Sequence, residues 1–198
     1  MKPYFEINHA AGLVLLVAIP AWGMMELSQR SNVPQTRDGA IRVRSGGFWI
    51  GAVLCLIIGA AAVNLAPRLV PAAAIGPGAV AFAVGMVFLV GGLVLRGWSF
   101  KALGDYFTHT VMVTPDQPVI ANGPYRVLRH PSYTGILLAS MGIGLASANW
   151  VAVAGVTLPT LMLLLYRIHV EEKALLTTVG DPYRTYAAQH KRLVPLIW

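Results

Sequence analysis

The chain has 198 residues, of which 56% are hydrophobic and only 12% charged, about half the charged share of an ordinary soluble domain. That balance excludes a water-soluble globular domain and describes a chain solvated by lipid. The formal charge of +7 does not indicate nucleic acid, because the basic residues fall in short blocks between apolar segments and form no aromatic-interleaved basic face.

Taken in chain order, Lys2 and Glu6 precede an apolar stretch that lacks a small-residue cleavage site followed by a soluble region. It therefore reads as a retained first span rather than a leader. Charged residues then mark off four long uncharged intervals, 7–25, 45–67, 69–95 and 131–166, against the roughly 20 helical residues that cross a bilayer. Each of the first three fits one helix. The fourth would reach about 54 Å as one helix, well beyond a hydrocarbon core of about 30 Å, so it folds back. Ser147, Ala148, Asn149 and Trp150 supply the best turn, giving two rather short helices and five spans in all.

Cys55, the single cysteine, lies inside the second interval, which rules out an internal disulfide and a cysteine-only metal cluster. The five histidines show no metal-pair spacing, so no metal is expected. Glycines recur in the third span (Gly85, Gly91, Gly92) and the fourth (Gly142, Gly144). Such residues let helix backbones approach closely.

Positive charge sets the orientation. With alternating ends, one side receives Arg30, Arg37, Arg42, Arg44, Arg96, Lys101, Arg126, Arg129, Arg167, Lys173, Arg184, Lys191 and Arg192, and the other only Lys2 and Arg68. The N-terminus is thus expected outside and the C-terminus in the cytoplasm. Two segments read as neither span nor simple loop. Residues 96–107, with Trp98, Phe100, Leu103, Tyr106 and Phe107 among Arg96, Lys101 and Asp105, suit a helix lying in the interface. Residues 110–113 and 119–120 are β-prone pieces around the turn Thr114-Pro115-Asp116-Gln117 and predict a small extended excursion.

The chemistry concentrates after residue 120. In Gly123-Pro124-Tyr125-Arg126-Val127-Leu128-Arg129-His130-Pro131-Ser132-Tyr133-Thr134-Gly135, Gly-Pro makes a turn and Pro131 suits the first turn of the fourth helix. The free N–H groups and positive dipole end of that helix, with Arg129 and His130 beside it, would attract a carboxylate or phosphate. The same arginines serve equally well as interface anchors. Arg167 and Glu171, four apart at the end of the fifth span, share a helix face. They read either as a plain salt bridge or, with Glu172, as an ionic site facing inward at a membrane helix end. In the second reading the arginine forks a carboxylate and a glutamate takes an ammonium or sulfonium.

The G-x-Y-x-x-x-R-H-P-x-Y-x-G run, followed by Arg167-Ile168-His169-Val170-Glu171-Glu172, then Gly180-Asp181-Pro182-Tyr183-Arg184-Thr185-Tyr186 and Arg192-Leu193-Val194-Pro195, resembles the isoprenylcysteine carboxyl methyltransferase family and its phospholipid-methyltransferase relatives. The resemblance spans residues 103–195. It implies an all-α integral membrane fold and S-adenosylmethionine as methyl donor, held in a cytoplasm-facing pocket between the last spans and a short cytoplasmic C-terminal helix. It divides a single membrane domain, 1–198, into three N-terminal spans (1–96) and a cofactor-binding catalytic half (97–198). By motif position His130 and Tyr133 would contact the donor, Tyr125 and Gly135 would shape its pocket, Glu172, alone or with Glu171, would meet its charged amino-acid end or sulfonium, and Val119 and Ile120 would offer backbone groups to adenine. Arg167 would hold an acceptor carboxylate, with Glu171 beside it near the transferred methyl.

The implied acceptor is lipophilic, a prenylcysteine-type carboxylate. Phospholipid amines and small thiols are the alternatives within the family's relatives, and an NADPH-dependent sterol-type reductase or a non-catalytic scaffold lies outside it. Eleven arginines to four lysines, with abundant Ala and Gly, fit a high-GC bacterium and hence a bacterial cytoplasmic membrane.

Overall fold

A computed structural model of the chain describes residues 2–31, 41–43, 46–106, 111–115 and 117–195. Seven α-helices appear among them: α1 (Tyr4–Ile7), α2 (His9–Ser31), α3 (Gly46–Leu69), α4 (Gly78–Leu103), α5 (Pro131–Ala146), α6 (Trp150–Thr178) and α7 (Asp181–Gln189). Three of them, α3, α4 and α6, are long and apolar enough to cross a membrane. Most of each apolar surface faces outward: Leu56, Val87 and Met162 are among the many exposed aliphatic side chains. In water such faces would be unstable; in lipid they are the solvated side. The apolar stretch of α2 and the 16-residue α5 are shorter.

The helices run back and forth between two ends. At one end Pro71 and Pro77 hold the α3–α4 connection open, and Ala74 bridges to Asn149 in the α5–α6 turn. Asn149 is fully buried. Its Oδ1 accepts from the Val151 and Ala152 amides, capping α6, while its Nδ2 donates to the Val70 carbonyl at 3.0 Å. One side chain thus ends the turn, starts a helix and ties two hairpins together. Arg68 and Glu6 pair at 2.6 Å nearby.

Along the bundle α4 and α5 lie closest. A methyl on Gly135 would fall 2.6 Å from the Gly92 carbonyl, and one on Gly142 would fall 2.5 Å from that of Gly85. Gly85 and Gly92 are seven residues apart, as are Gly135 and Gly142, so two antiparallel helices present matching notches two turns apart. Leu89 and Ala139 fill the core between them.

The predicted interfacial helix over 96–107 is corrected: residues 96–103 are the last turns of α4, which runs unbroken until Gly104 adopts φ 54°. No proline interrupts the segment and α4 runs through Gly97 in helical conformation, so the helix continues and Arg96 is buried rather than laid on a surface. A 3₁₀ turn over Gly104–Tyr106 follows. The predicted extended excursion is present in its first piece, with a distant partner. Val111–Val113 forms β2, which pairs antiparallel with β1 (Ile41–Val43), Arg42 opposite Met112, and not with Val119 and Ile120. The fold therefore carries a two-stranded ribbon among its helices, its Val113 packed on Ala174 of α6. Phe107, Thr110 and Asp116 of those predicted segments, with Arg37 and Arg44 of the charge tally, lie outside the described residues.

The turn expected at 147–150 ends α5 at Ala146 and starts α6 at Trp150, yet the two helices are unequal. At 29 residues α6 spans about 43 Å and continues past its apolar part, carrying Arg167, Glu171 and Glu172 beside the start of α5.

Candidate active site

The motif loop is held from three directions. Gly123, at φ 53°, opens a 3₁₀ turn over Gly123–Arg126 and sits against Ala102 and Trp98 of α4, where an added methyl would meet both at 3.2 Å. Its carbonyls at Tyr125 and Leu128 accept the Tyr186 hydroxyl of α7 at 2.7 and 3.2 Å. Beyond α7 the chain returns as a strap: the Arg129 amide donates to the Lys191 carbonyl at 2.7 Å, the His130 amide to that of Arg192 at 3.1 Å, and the Thr134 hydroxyl to that of Leu193 at 2.8 Å. Pro131 occupies the first turn of α5, where its lack of an N–H costs nothing.

Glu172 is the ionic centre behind this loop. It is buried, and its carboxylate meets Arg129 Nη1 at 2.8 Å, Arg192 Nη2 at 2.9 Å and His130 Nε2 at 3.2 Å. Paired and hydrogen-bonded carboxylates of this kind hold elements in register, and removal of one partner leaves uncompensated buried charge. The His130 ring stacks on Tyr133, centroids 5.5 Å apart.

One helical turn away a second chain of contacts runs across α5 and α6. Arg167 Nε donates to the Tyr133 hydroxyl at 3.4 Å, and that hydroxyl donates to Glu171 Oε2 at 2.6 Å. The Arg167 guanidinium, itself buried, lies 4.7 Å from the centre of the Phe48 ring of α3, a cation–π geometry. Arg96 stands close by, donating to Ser132 Oγ at 2.5 Å and resting over Phe100.

Two cavities meet at these residues. A polar pocket is lined by Val119, Ile120, Tyr125, Arg129, His130, Tyr133, Arg167, Glu171, Tyr183 and Tyr186, with Met112 and Val113 of β2 on one side. A chamber of about 940 Å³, walled by α2, α3, α5 and α6 through such residues as Trp22, Leu56, Val63, Ile143 and Leu163, also ends on Tyr133 and Arg167, with Arg96 beside them. Seven of the nine residues singled out in the sequence therefore line the polar pocket. The other two stand behind it: Gly135 at the α4 crossing and Glu172 in its ionic cluster.

The pocket phenols are neutral donors. Burial first, then the Glu171 carboxylate, raises Tyr125 well above the ordinary tyrosine value. Burial and the Glu172 and Glu171 carboxylates do the same to Tyr183, and burial pushes Tyr186 up to about 12. The residues of α7 were quoted in the sequence without a role. Their signal is local: a nine-residue, otherwise polar helix after Gly180 at φ 72° places two tyrosines at i and i+3 on one face, both buried. Two polar atoms of pocket residues, Tyr183 Oη and Arg129 Nε, are buried with no hydrogen-bond partner, which is uncommon enough to require an explanation.

Comparison with known proteins follows the geometry. The sequence model of the isoprenylcysteine carboxyl methyltransferase family matches residues 83–177. The chain is similar to a protein-S-isoprenylcysteine O-methyltransferase of Tribolium castaneum, 31% identical over 58% of this chain and 41% of that protein. It is similar to a probable protein-S-isoprenylcysteine O-methyltransferase of Oryza sativa subsp. indica, 30% identical over 58% of this chain and 61% of that one. The chain thus spans about half the length of these curated relatives. In three dimensions it is similar to a solved structure of the eukaryotic intramembrane Ras methyltransferase of this type, with a TM-score of 0.60 and 28% identity, over 79% of this chain and 55% of the other.

Proposed function

We infer that this chain, whose residues 83–177 match the sequence model of the isoprenylcysteine carboxyl methyltransferase family, is an integral membrane methyltransferase that moves a methyl group from S-adenosylmethionine to a lipophilic carboxylate of the prenylcysteine type. The observation that carries this reading is the shared wall: Tyr133 and Arg167 border both the polar pocket and the apolar chamber. A water-soluble donor and a greasy acceptor must meet at one point, and here one guanidinium and one phenol border both compartments.

S-adenosylmethionine fits the residues present, since the pocket holds two buried polar atoms that lack protein partners, Tyr183 Oη and Arg129 Nε. It supplies a methyl on a sulfonium, so that a C–S bond breaks, a C–O bond forms and sulfur leaves as a neutral thioether. The protein's task is to align the reactants, with reacting atoms about 3–3.5 Å apart, and to exclude water. Arg167 forks the acceptor carboxylate and is oriented by Tyr133 and by the Phe48 ring. Glu171 would place negative charge beside the cationic donor. His130 and Tyr133, stacked on each other, would wall the donor side together with Tyr125, and the backbone at Val119 and Ile120 would meet the base. Gly135 acts at one remove, letting α5 close on α4, and Glu172 holds Arg129 and His130 in place. No general base is required, because the carboxylate is already ionised.

The site lies at the arginine-rich end of the helices. The positive-inside distribution supports five spans with the N-terminus outside, the pocket and α7 facing the cytoplasm, and a bacterial cytoplasmic membrane as the location. Detergent-purified protein should bind S-adenosylhomocysteine and not NADPH, and should methylate a prenylcysteine in preference to amines or thiols of similar bulk. Binding of NADPH alone would replace this reading with the reductase.

A further inference from the structure

We propose that Tyr183 Oη and Arg129 Nε form the carboxylate-binding end of the donor pocket, holding the amino-acid terminus of the methyl donor. This rests on the donor reading and names a contact within it.

Both atoms are potential hydrogen-bond donors, both are buried without a partner, and both belong to pocket-lining residues. Tyr183 is only 5% exposed, so bulk solvent does not reach its hydroxyl. Its neighbour Tyr186, one turn along α7, spends its hydroxyl on two backbone carbonyls. The helix thus uses one tyrosine to fasten the motif loop and leaves the other hydroxyl unspent. Arg129 repeats the pattern within a single side chain: Nη1 is committed to Glu172 at 2.8 Å, which fixes the guanidinium plane, while Nε has no partner. Two unspent donors on one pocket, near enough that the Arg129 charge acts on the Tyr183 phenol, are the complement of a carboxylate. Glu171, on the same pocket, supplies the opposite charge for the adjoining ammonium, so that a zwitterionic α-amino acid end is matched at both poles. Leaving such donors unmet in the ligand-free protein is unfavourable, and the ligand relieves it.

The test compares two ligands that differ only in this end. Titration calorimetry on the full chain in detergent would measure S-adenosylhomocysteine, which carries the amino-acid group, and 5′-deoxy-5′-methylthioadenosine, which lacks it. In Tyr183→Phe the affinity for S-adenosylhomocysteine should fall about tenfold, the loss expected for one hydrogen bond to a charged group, with methylthioadenosine affinity unchanged. The ligand-free variant should melt at the same temperature as the wild type or above it, because an unmet hydroxyl has been removed from the interior. Equal loss for both ligands, or a lowered melting temperature, would make Tyr183 a structural residue and overturn the proposal. So would an undiminished affinity for S-adenosylhomocysteine. Wild-type protein that binds neither compound would remove the donor reading, and this inference with it.

Discussion

The two sides of the bundle are built to opposite standards. On the side of α4, α5 and α7, glycine notches bring backbones into contact, a buried carboxylate gathers two arginines and a histidine, and a strap of backbone hydrogen bonds closes over the motif loop. On the side of α2 and α3, the helices stand apart and leave an apolar chamber of about 940 Å³. A polar donor with several hydrogen-bonding groups is recognised by fixed partners, which need a rigid frame. A flexible hydrocarbon chain gains mainly from area removed from water, which any apolar wall provides. The family match at residues 83–177 covers α5 and most of α4 and α6, whereas α2, α3, α7 and the strap lie outside it.

If the dense side is the donor frame, its disruption should be the most damaging change. Glu172→Ala would leave Arg129, His130 and Arg192 facing one another in the interior, at about 3–5 kcal/mol; a thermal melt in detergent should drop accordingly and S-adenosylhomocysteine binding should disappear. Normal binding in this variant would break the contrast at its strongest point. Arg167→Ala tests the boundary between the two sides. Turnover should fall about a hundredfold, as for a misplaced reactant, with donor affinity little changed, and Arg167→Lys should be impaired too because it loses the planar fork. Parallel loss of donor binding would assign Arg167 to the frame instead.

On the loose side, Gly59 borders the chamber and has room for a side chain, its nearest neighbour being Val156 at 3.7 Å. Gly59→Leu should raise KM about tenfold for a 20-carbon prenylcysteine and leave donor affinity alone; an unchanged preference across chain lengths would show that the chain lies elsewhere. Smallest of all, Tyr186→Phe removes the hydroxyl bonded to Tyr125 and Leu128, for about 1 kcal/mol at neutral pH. Its pH dependence has a definite sign. The folded phenol, at about 12, holds its proton more tightly than the unfolded one near 10, so between those values the unfolded state binds fewer protons and stability falls as pH rises. Chemical denaturation in the range 9–12 should be less steeply alkaline-sensitive in the phenylalanine variant.

Much of this arrangement could be read before the structure. The hairpin between α5 and α6 followed from the length of one uncharged interval, because a bilayer sets an upper limit that Pro131 to Tyr166 exceeds. The pocket residues of the motif loop came from the resemblance of that run and the distant pair of glutamates to a family motif; turn chemistry alone left an interface anchor and a plain salt bridge equally open. What was illegible was long-range. Nothing local tells that Val111–Val113 will pair with Ile41–Val43 across two helices, or that the chain beyond α7 will return to Arg129 and His130 by backbone hydrogen bonds, which carry no side-chain signature. The continuation of α4 to Leu103 was missed because aromatic and basic residues mixed in a short run suit an interfacial helix equally well; the deciding residue, Gly104, is a single backbone conformation.

The strap also imposes an order in time. Lys191, Arg192 and Leu193 come after every apolar helix in the chain, so during synthesis the hydrophobic segments leave the ribosome and enter the membrane before the residues that secure the motif loop exist. A nascent chain halted after α6 could be fully inserted and still lack a finished site, which makes synthesis of the strap the step that completes it.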